Sequence, residues 1–304
     1  MKKIFFALLC LIWGSTWLAI KIGLAYFPPF TFAAIRFALA TLVVYGAGLW
    51  RHEPISWRWS DLRGAVWFGI FNGVDYALIF WAEQYIPSGL TSIINAALPF
   101  FSLIFACLLA GEKVTLVKGL GLLAGFCGVV LIFGGDVLHL GRGSLAGQTA
   151  VLLSTVSYAL GATLAKRYQH KLGLLEQVTV QMGVTTLVIA VPAVLLERGQ
   201  AFHLALDGVA VLLYLALVGS VGAFLLYFWL LERMEVSRLS YISMITPVIA
   251  VFLGAWWGHE RVLWEYLAGL TVIMTGVWIV NRPQLFTRPT GDGQDTRTAG
   301  GWSR

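Results

Sequence analysis

Ten stretches of this chain are almost wholly apolar, and each is about as long as a membrane helix. By residue number they are 4–26, 30–50, 62–83, 88–110, 116–134, 147–167, 175–196, 208–231, 237–258 and 264–281. About 20 apolar residues of helix cross a bilayer's hydrocarbon core. Backbone in lipid can bond only to itself, so each stretch has the helix as its natural fold. Turn residues cluster between the stretches, at Pro28-Pro29, 51–60, Pro87, 111–113, 134–147, Gly173, 197–207 and 260–261. The first stretch, MKKIFFALLCLIW onward, has the outline of a signal peptide. It runs on to Phe27 without a small-x-small cleavage site and reads as the first span.

Charge supports the count. Only 12% of the 304 residues are charged and 59% are hydrophobic, against about 25% charged in soluble domains. The net charge of +6 is carried by short loops, which points to the orientation rule of membrane proteins and not to a nucleic-acid partner. With the N-terminus placed inside, sixteen Lys and Arg fall on the inner side, while Arg142, Arg198 and Arg261 fall outside. Lys21 and Arg36 lie within spans. That asymmetry predicts ten spans with both ends cytoplasmic, and a polar, disordered tail over 283–304.

The chain also repeats itself. SGLTSIINAALPFFSLIFACLLAGEKV from Ser88 is answered by SRLSYISMITPVIAVFLGAWWGHERV from Ser237. An offset of 148 pairs Pro99 with Pro247, Glu112 with Glu260, Gly121 with Gly269 and Gly128 with Gly276. Five spans precede the midpoint, so the halves 1–134 and 147–282 enter the membrane in opposite directions. The expected fold is therefore an all-α membrane protein of ten helices, built as two inverted five-helix repeats around a central cavity, as in many secondary transporters. Pro99 and Pro247 lie about ten residues into their spans, near the midplane. They are either tolerated packing kinks or matched hinges. Glu112 and Glu260 fall at opposite surfaces and read as helix-end structure. The GxxxG spacings at Gly69, Gly121 and Gly254 allow close helix approach.

Polar residues inside spans are costly and carry the functional reading. Arg36 and Asp75 lie about 10–12 Å deep at the helical rise. They are expected to face the interior and interact, directly or across water. That contact either holds helices together or meets a substrate's charges and a proton. Asn72, Asn95 and Gln181 bind either a neighbouring helix or a ligand. Lys21 reads as snorkelling to the interface, and Glu83 and Glu232 read as interfacial. Trp13, Trp17, Tyr76, Trp81 and Tyr158 lie at depths that suit a cavity lining for an organic solute with apolar or aromatic parts. Trp50, Trp57, Trp59, Trp256, Trp257 and Trp264 read as interfacial belts.

Motifs for catalysis are missing from the sequence. It holds no HExxH, GxSxG, P-loop or CxxC, and its five histidines fall in loops or at helix ends. Cys10, Cys107 and Cys127 read as buried thiols in apolar helices, with no disulfide or zinc site. No catalytic residue, metal or cofactor is expected.

The opening IWGSTWLAIKIGL, followed by FPPFTFAAIRFALA, resembles the start of EamA-type proteins of the drug/metabolite transporter superfamily. LPFFSLIFACLLAGEKVTLVKGLGLLAGFCGVVLI and TPVIAVFLGAWWGHERVLWEYLAGLTVIMTGVWIV are similar to the ends of the two EamA repeats. Together these motifs cover about residues 4–282. The resemblance implies export of small organic metabolites, with amino acids and related compounds prominent. Arg36 matches the family's basic position in the second span. Gly111-Glu112-Lys113 and His259-Glu260-Arg261 match its glycine–glutamate turn, with His259 in place of glycine. No ligand residue carries over, because the family shares no single substrate motif. The leading expectation is an alternating-access exporter in a bacterial-type inner membrane, a monomer or weak homo-oligomer, with a small-molecule substrate and a proton as candidate partners. A membrane enzyme on lipid-linked substrates and a non-transporting structural protein are the alternatives.

Overall fold

The computed structural model describes residues 1–52, 58–110, 115–139, 142–168, 172–231, 233–234, 239 and 241–280. Glu112, Glu232, Trp57 and the tail 283–304 lie outside the described residues. The chain forms α1 (Lys2–Gly23), α2 (Pro29–Trp50), α3 (Trp59–Ala82), α4 (Ser88–Asn95), α5 (Leu98–Ala110) and α6 (Leu116–His139). Then follow α7 (Arg142–Arg167), α8 (Leu174–Leu196), α9 (Leu206–Leu213), a π-helical segment Tyr214–Gly222, α10 (Ala223–Leu231), α11 (Ile242–Trp256) and α12 (Trp264–Val280). Helices α4 and α5 make one span, and α9, the π segment and α10 make another. Eight spans have full membrane length, and the apolar helices α11 and α12 complete ten. Helix starts follow local chemistry. Pro29 opens α2, where its missing N–H costs nothing, and Asp61 lies in the first turn of α3, at the positive end of its dipole.

Several boundaries differ from the sequence reading. The fourth span is interrupted after Asn95, and Pro99 becomes the second residue of α5 instead of a mid-helix kink. Proline's ring would clash with the Asn95 carbonyl, four residues back, if the helix ran through. The chain instead tightens into a turn, with Ala97 N–H donating to the Ile94 carbonyl at 3.1 Å. Pro247 lies inside continuous α11. The fifth and sixth spans run on to His139 and start from Arg142, because Gly134, Gly135, Gly143 and Gly147 continue a helix once other residues carry the ladder. Cys127 is exposed while Cys10 is buried. The outward face of α6 meets lipid, where a thiol costs little.

Helix packing obeys the inversion. A Cβ added to Gly276 on α12 would lie 2.6 Å from the Gly121 carbonyl oxygen on α6. A Cβ added to Gly128 would lie 2.9 Å from the Gly269 carbonyl oxygen. Exchanging each residue for its repeat equivalent turns the contact 121–276 into 269–128. The two helices therefore cross antiparallel on a pseudo-two-fold axis, with backbones close enough that only glycine fits. Likewise α1 packs on α11 while α7 packs on α4 and α5, and α2 packs on α8. The same exchange relates these contacts.

Three side chains tie one end of the bundle. Glu197, after α8, accepts from the amides of Phe30 at 2.8 Å and Thr31 at 2.6 Å, capping α2. Glu260, before α12, accepts from Ser88 at 2.8 Å and Gly89 at 3.1 Å, capping α4. Each carboxylate from the second half thus satisfies orphan amides of a helix in the first half, at its positive dipole end. Lys21 does not snorkel. Its ammonium donates to the carbonyls of Glu83 and, at 3.0 Å, Ile86, whose dipole-favoured position outcompetes headgroup water. Trp50, Trp59, Trp256, Trp257 and Trp264 are exposed near helix ends.

Replacing Glu260 or Glu197 with Ala is expected to cost about 1–2 kcal/mol of stability, read as a lower melting temperature of detergent-purified protein. Gln, which keeps one acceptor oxygen, should lose less. Gly276→Val should cost about 1–3 kcal/mol, whereas Gly134→Ala, with no atom within 4 Å of its added Cβ, should melt like the wild type.

Candidate functional site

Where α2, α3, α7 and the π segment meet, the interior turns polar. Arg36 on α2 is among the largest fully buried side chains. Its Nε donates to the Ser220 hydroxyl at 3.0 Å. The guanidinium lies 5.0 Å from the centre of the Tyr76 ring, 5.1 Å from Phe37 and 5.9 Å from Phe80. An aromatic cage of this kind offsets part of the cost of a buried cation. Nη1 has no hydrogen-bond partner.

Asp75 follows on α3, next to Tyr76 in sequence and on a different face. It is buried beside Ser154 on α7, whose hydroxyl donates to the Val151 carbonyl at 2.8 Å, and among the described residues its Oδ1 has no hydrogen-bond partner. Arg36 and Asp75 therefore share the interior, and of the two arrangements expected, direct or across water, the direct contact is not made among the described residues. Tyr76 has both as electrostatic neighbours, with the guanidinium over its ring. The separation has a local cause. Arg36 is drawn towards the π segment, whose wider turn brings Ser220 and Gly219 against α2.

Tyr158 on α7 has Tyr76, Asp75 and Tyr227 as electrostatic neighbours, and its ring meets Phe68 edge-on at 5.3 Å. Tyr227 on α10 lies 5.4 Å from the Trp13 ring of α1, and Tyr214 shares a 2.6 Å hydrogen bond with Ser15. Tyr76, Tyr158, Tyr214 and Tyr227 each keep part of their surface uncovered. Together they make an aromatic cluster that joins α1, α3 and α7 to the eighth span.

The other candidates divide. Asn72 donates to Thr185 at 3.1 Å, and Thr185 donates to the Gly69 carbonyl at 3.0 Å, so these residues hold α3 to α8. Gln181 belongs to the same seam, fully buried, with neither amide atom partnered. Asn95, at the break before α5, reaches Thr155 on α7 at 3.4 Å. Trp17 packs on the core around Phe37 and Met182. Trp81 packs in the other core and against Tyr85 at 4.9 Å. The structure thus gathers Arg36, Asp75, Tyr76 and Tyr158, while Asn95 and Trp81 have other partners, Thr155 and Tyr85. Glu83, expected at the interface, is fully buried, because the turn into α4 and the end of α1 cover it.

Ser220, Ser154, Tyr214 and Tyr227 were not singled out by sequence reasoning. Only the run Gly219-Ser220-Val221-Gly222, small and polar within an apolar span, signalled a special place. Among the described residues no group of three His, Cys, Asp or Glu is placed to ligate a metal.

Comparison with known proteins agrees with this architecture. The chain is 24% identical over 270 residues to the uncharacterized transporter YoaV of Bacillus subtilis, covering 88% of this chain and 92% of that one. It is 27% identical over 273 residues to the uncharacterized inner membrane transporter YedA of Escherichia coli K12, covering 90% and 88%. An uncharacterized transporter of Archaeoglobus fulgidus is 26% identical over 291 residues, covering 93% and 99%. One protein crystal structure matches with a TM-score of 0.64 at 20% identity, over 92% of this chain and 96% of the other, which shows a shared fold. The description of the EamA-like transporter family matches residues 1–134 and again 145–282, and the chain belongs to that family of membrane transporters.

Proposed function

We propose that this transporter exports a small organic solute by alternating access, with Arg36, Asp75, Tyr76 and Tyr158 forming its binding site. The observation that carries the reading is the pairing of opposite charges that do not neutralise each other. Arg36 Nη1 and Asp75 Oδ1 are both buried and both lack a hydrogen-bond partner. Such groups are costly unless something completes them. A solute with a hydrogen-bond acceptor for the guanidinium and a donor for the carboxylate would complete both at once. The aromatic rings would cover its apolar part.

The charge asymmetry supports cytoplasmic termini and YedA's description supports an inner-membrane location, while export rests on the resemblance to EamA-type exporters. Amino acids and related compounds are the first substrates to test. Inverted repeats supply the mechanism, because exchanging the conformations of 1–134 and 147–282 moves the opening from one side to the other. The break before Pro99, and Pro247 within α11, would serve as its hinges. The transporter-named relatives make a lipid-modifying enzyme the weaker reading.

The test is efflux of a panel of radiolabelled amino acids, nucleosides and toxic analogues from liposomes containing the purified protein. For any transported solute, Arg36→Ala and Asp75→Asn should each slow transport by about tenfold or more, the equivalent of about 1.4 kcal/mol. Gln84→Ala, an exposed change outside the site, should leave the rate unaltered. Wild-type rates in folded Arg36 and Asp75 variants would overturn the assignment of the site.

A further inference from the structure

A second buried carboxylate lies outside this site. Glu83 follows the last residue of α3, about 12 Å along the helix axis from Asp75 at the helical rise. It is fully buried, and neither Oε1 nor Oε2 has a hydrogen-bond partner. Among the described residues its charged electrostatic neighbours are Lys21 from α1, Glu260 from the connection before α12, and Arg36 from α2. Helix α4 holds no titratable residue, and α7 presents none between Ser144 and Ser157.

Each of those groups is occupied elsewhere. Glu260 rests on the amides of Ser88 and Gly89. Arg36 is held by Ser220 and its aromatic cage. Lys21 donates to two carbonyls, that of Glu83 itself and that of Ile86. A helix-end glutamate with a purely structural role would cap amides as Glu197 and Glu260 do, or pair with the nearest ammonium. Glu83 does neither. Burying an ionised carboxylate without hydrogen bonds costs several kcal/mol, while a neutral acid group pays only the smaller cost of an unpaired polar group. An ammonium carries three N–H donors, and Lys21 uses two of them on the carbonyls. Its third donor, or a small rotation of its stem, would answer a negative charge on Glu83.

We infer that Glu83 is a proton-binding site with Lys21 as its counter-ion. Two arrangements follow. With the proton on a Glu83 carboxyl oxygen, Lys21 stays on the carbonyls of Glu83 and Ile86, and the connection from α3 to α4 is pinned to α1. When the proton leaves to solvent, Lys21 turns to the carboxylate and gives up those carbonyls. The same connection leads into α4, whose N-terminus Glu260 caps from the other repeat. Proton occupancy at Glu83 thereby biases how firmly this end of the bundle is closed. The inference does not depend on the solute site, since no residue assigned to the solute is needed to bind the proton.

Infrared difference spectroscopy of the full chain in liposomes, titrated with pH, tests it without a substrate. At neutral pH the wild type should show a carboxylic-acid carbonyl component that is lost in Glu83→Gln and retained in Asp75→Asn. Lys21→Met, which removes the counter-ion, should move the loss of that band upward by about one to two pH units. Monodisperse elution of each variant establishes that it is folded. A band that survives intact in folded Glu83→Gln would overturn the proton site. A Lys21→Met titration identical to wild type would overturn the counter-ion role.

Discussion

Lipid offers the backbone no hydrogen bonds, and the rest of this structure follows from that constraint. Ten helices satisfy it along most of their length. What remains are the places where the helical ladder is interrupted: the N-termini of α2 and α4, the C-terminus of α3, the turn before Pro99 and the π segment. Polar side chains gather where ladders end or widen. Glu197 and Glu260 meet the two N-termini, Lys21 meets the C-terminus, and Arg36 bonds to Ser220 within the π segment. These four side chains therefore lie where the backbone itself is incomplete, whereas Asp75 and Asn72 lie within the continuous α3.

The inversion organises these places. Gly121 against Gly276 and Gly128 against Gly269 are one contact seen twice through the pseudo-two-fold axis. The carboxylate caps work across that division, since both come from the second half and both act on helices of the first. A conformational exchange between the halves must release or re-form such contacts, and Glu83 and Lys21 lie beside one of them. The aromatic cluster joins helices of both halves, so a solute held there would touch each repeat.

Much of this was legible in the sequence. Apolar length specified the helices, the offset of 148 residues specified the repeat, and the Lys and Arg asymmetry specified its inversion. The depth of Arg36 and Asp75 was also readable, because rise per residue is constant. Their lateral separation was not, since depth says nothing about which neighbour a side chain leans towards. Within Tyr214–Gly222 the small and polar run 219–222 marks a special place, but its π geometry depends on what packs around it. Glu83 illustrates the same limit: position at a helix end suggests water, and only the covering turn into α4 and the end of α1 removes it. Pro99 was visible as a disruption, but whether the chain kinks or breaks depends on how the turn at Ala96 and Ala97 is held.

The central claim is that the interior between the repeats opens alternately to each side. Its most direct measurement is the reactivity of a single cysteine introduced as Tyr158→Cys, with Cys10, Cys107 and Cys127 replaced, in liposomes of known protein orientation. A small membrane-impermeant thiol reagent should label it when added from either side alone, and a transported solute should slow both reactions. Labelling from one side only, or from neither, would contradict alternating access through this site.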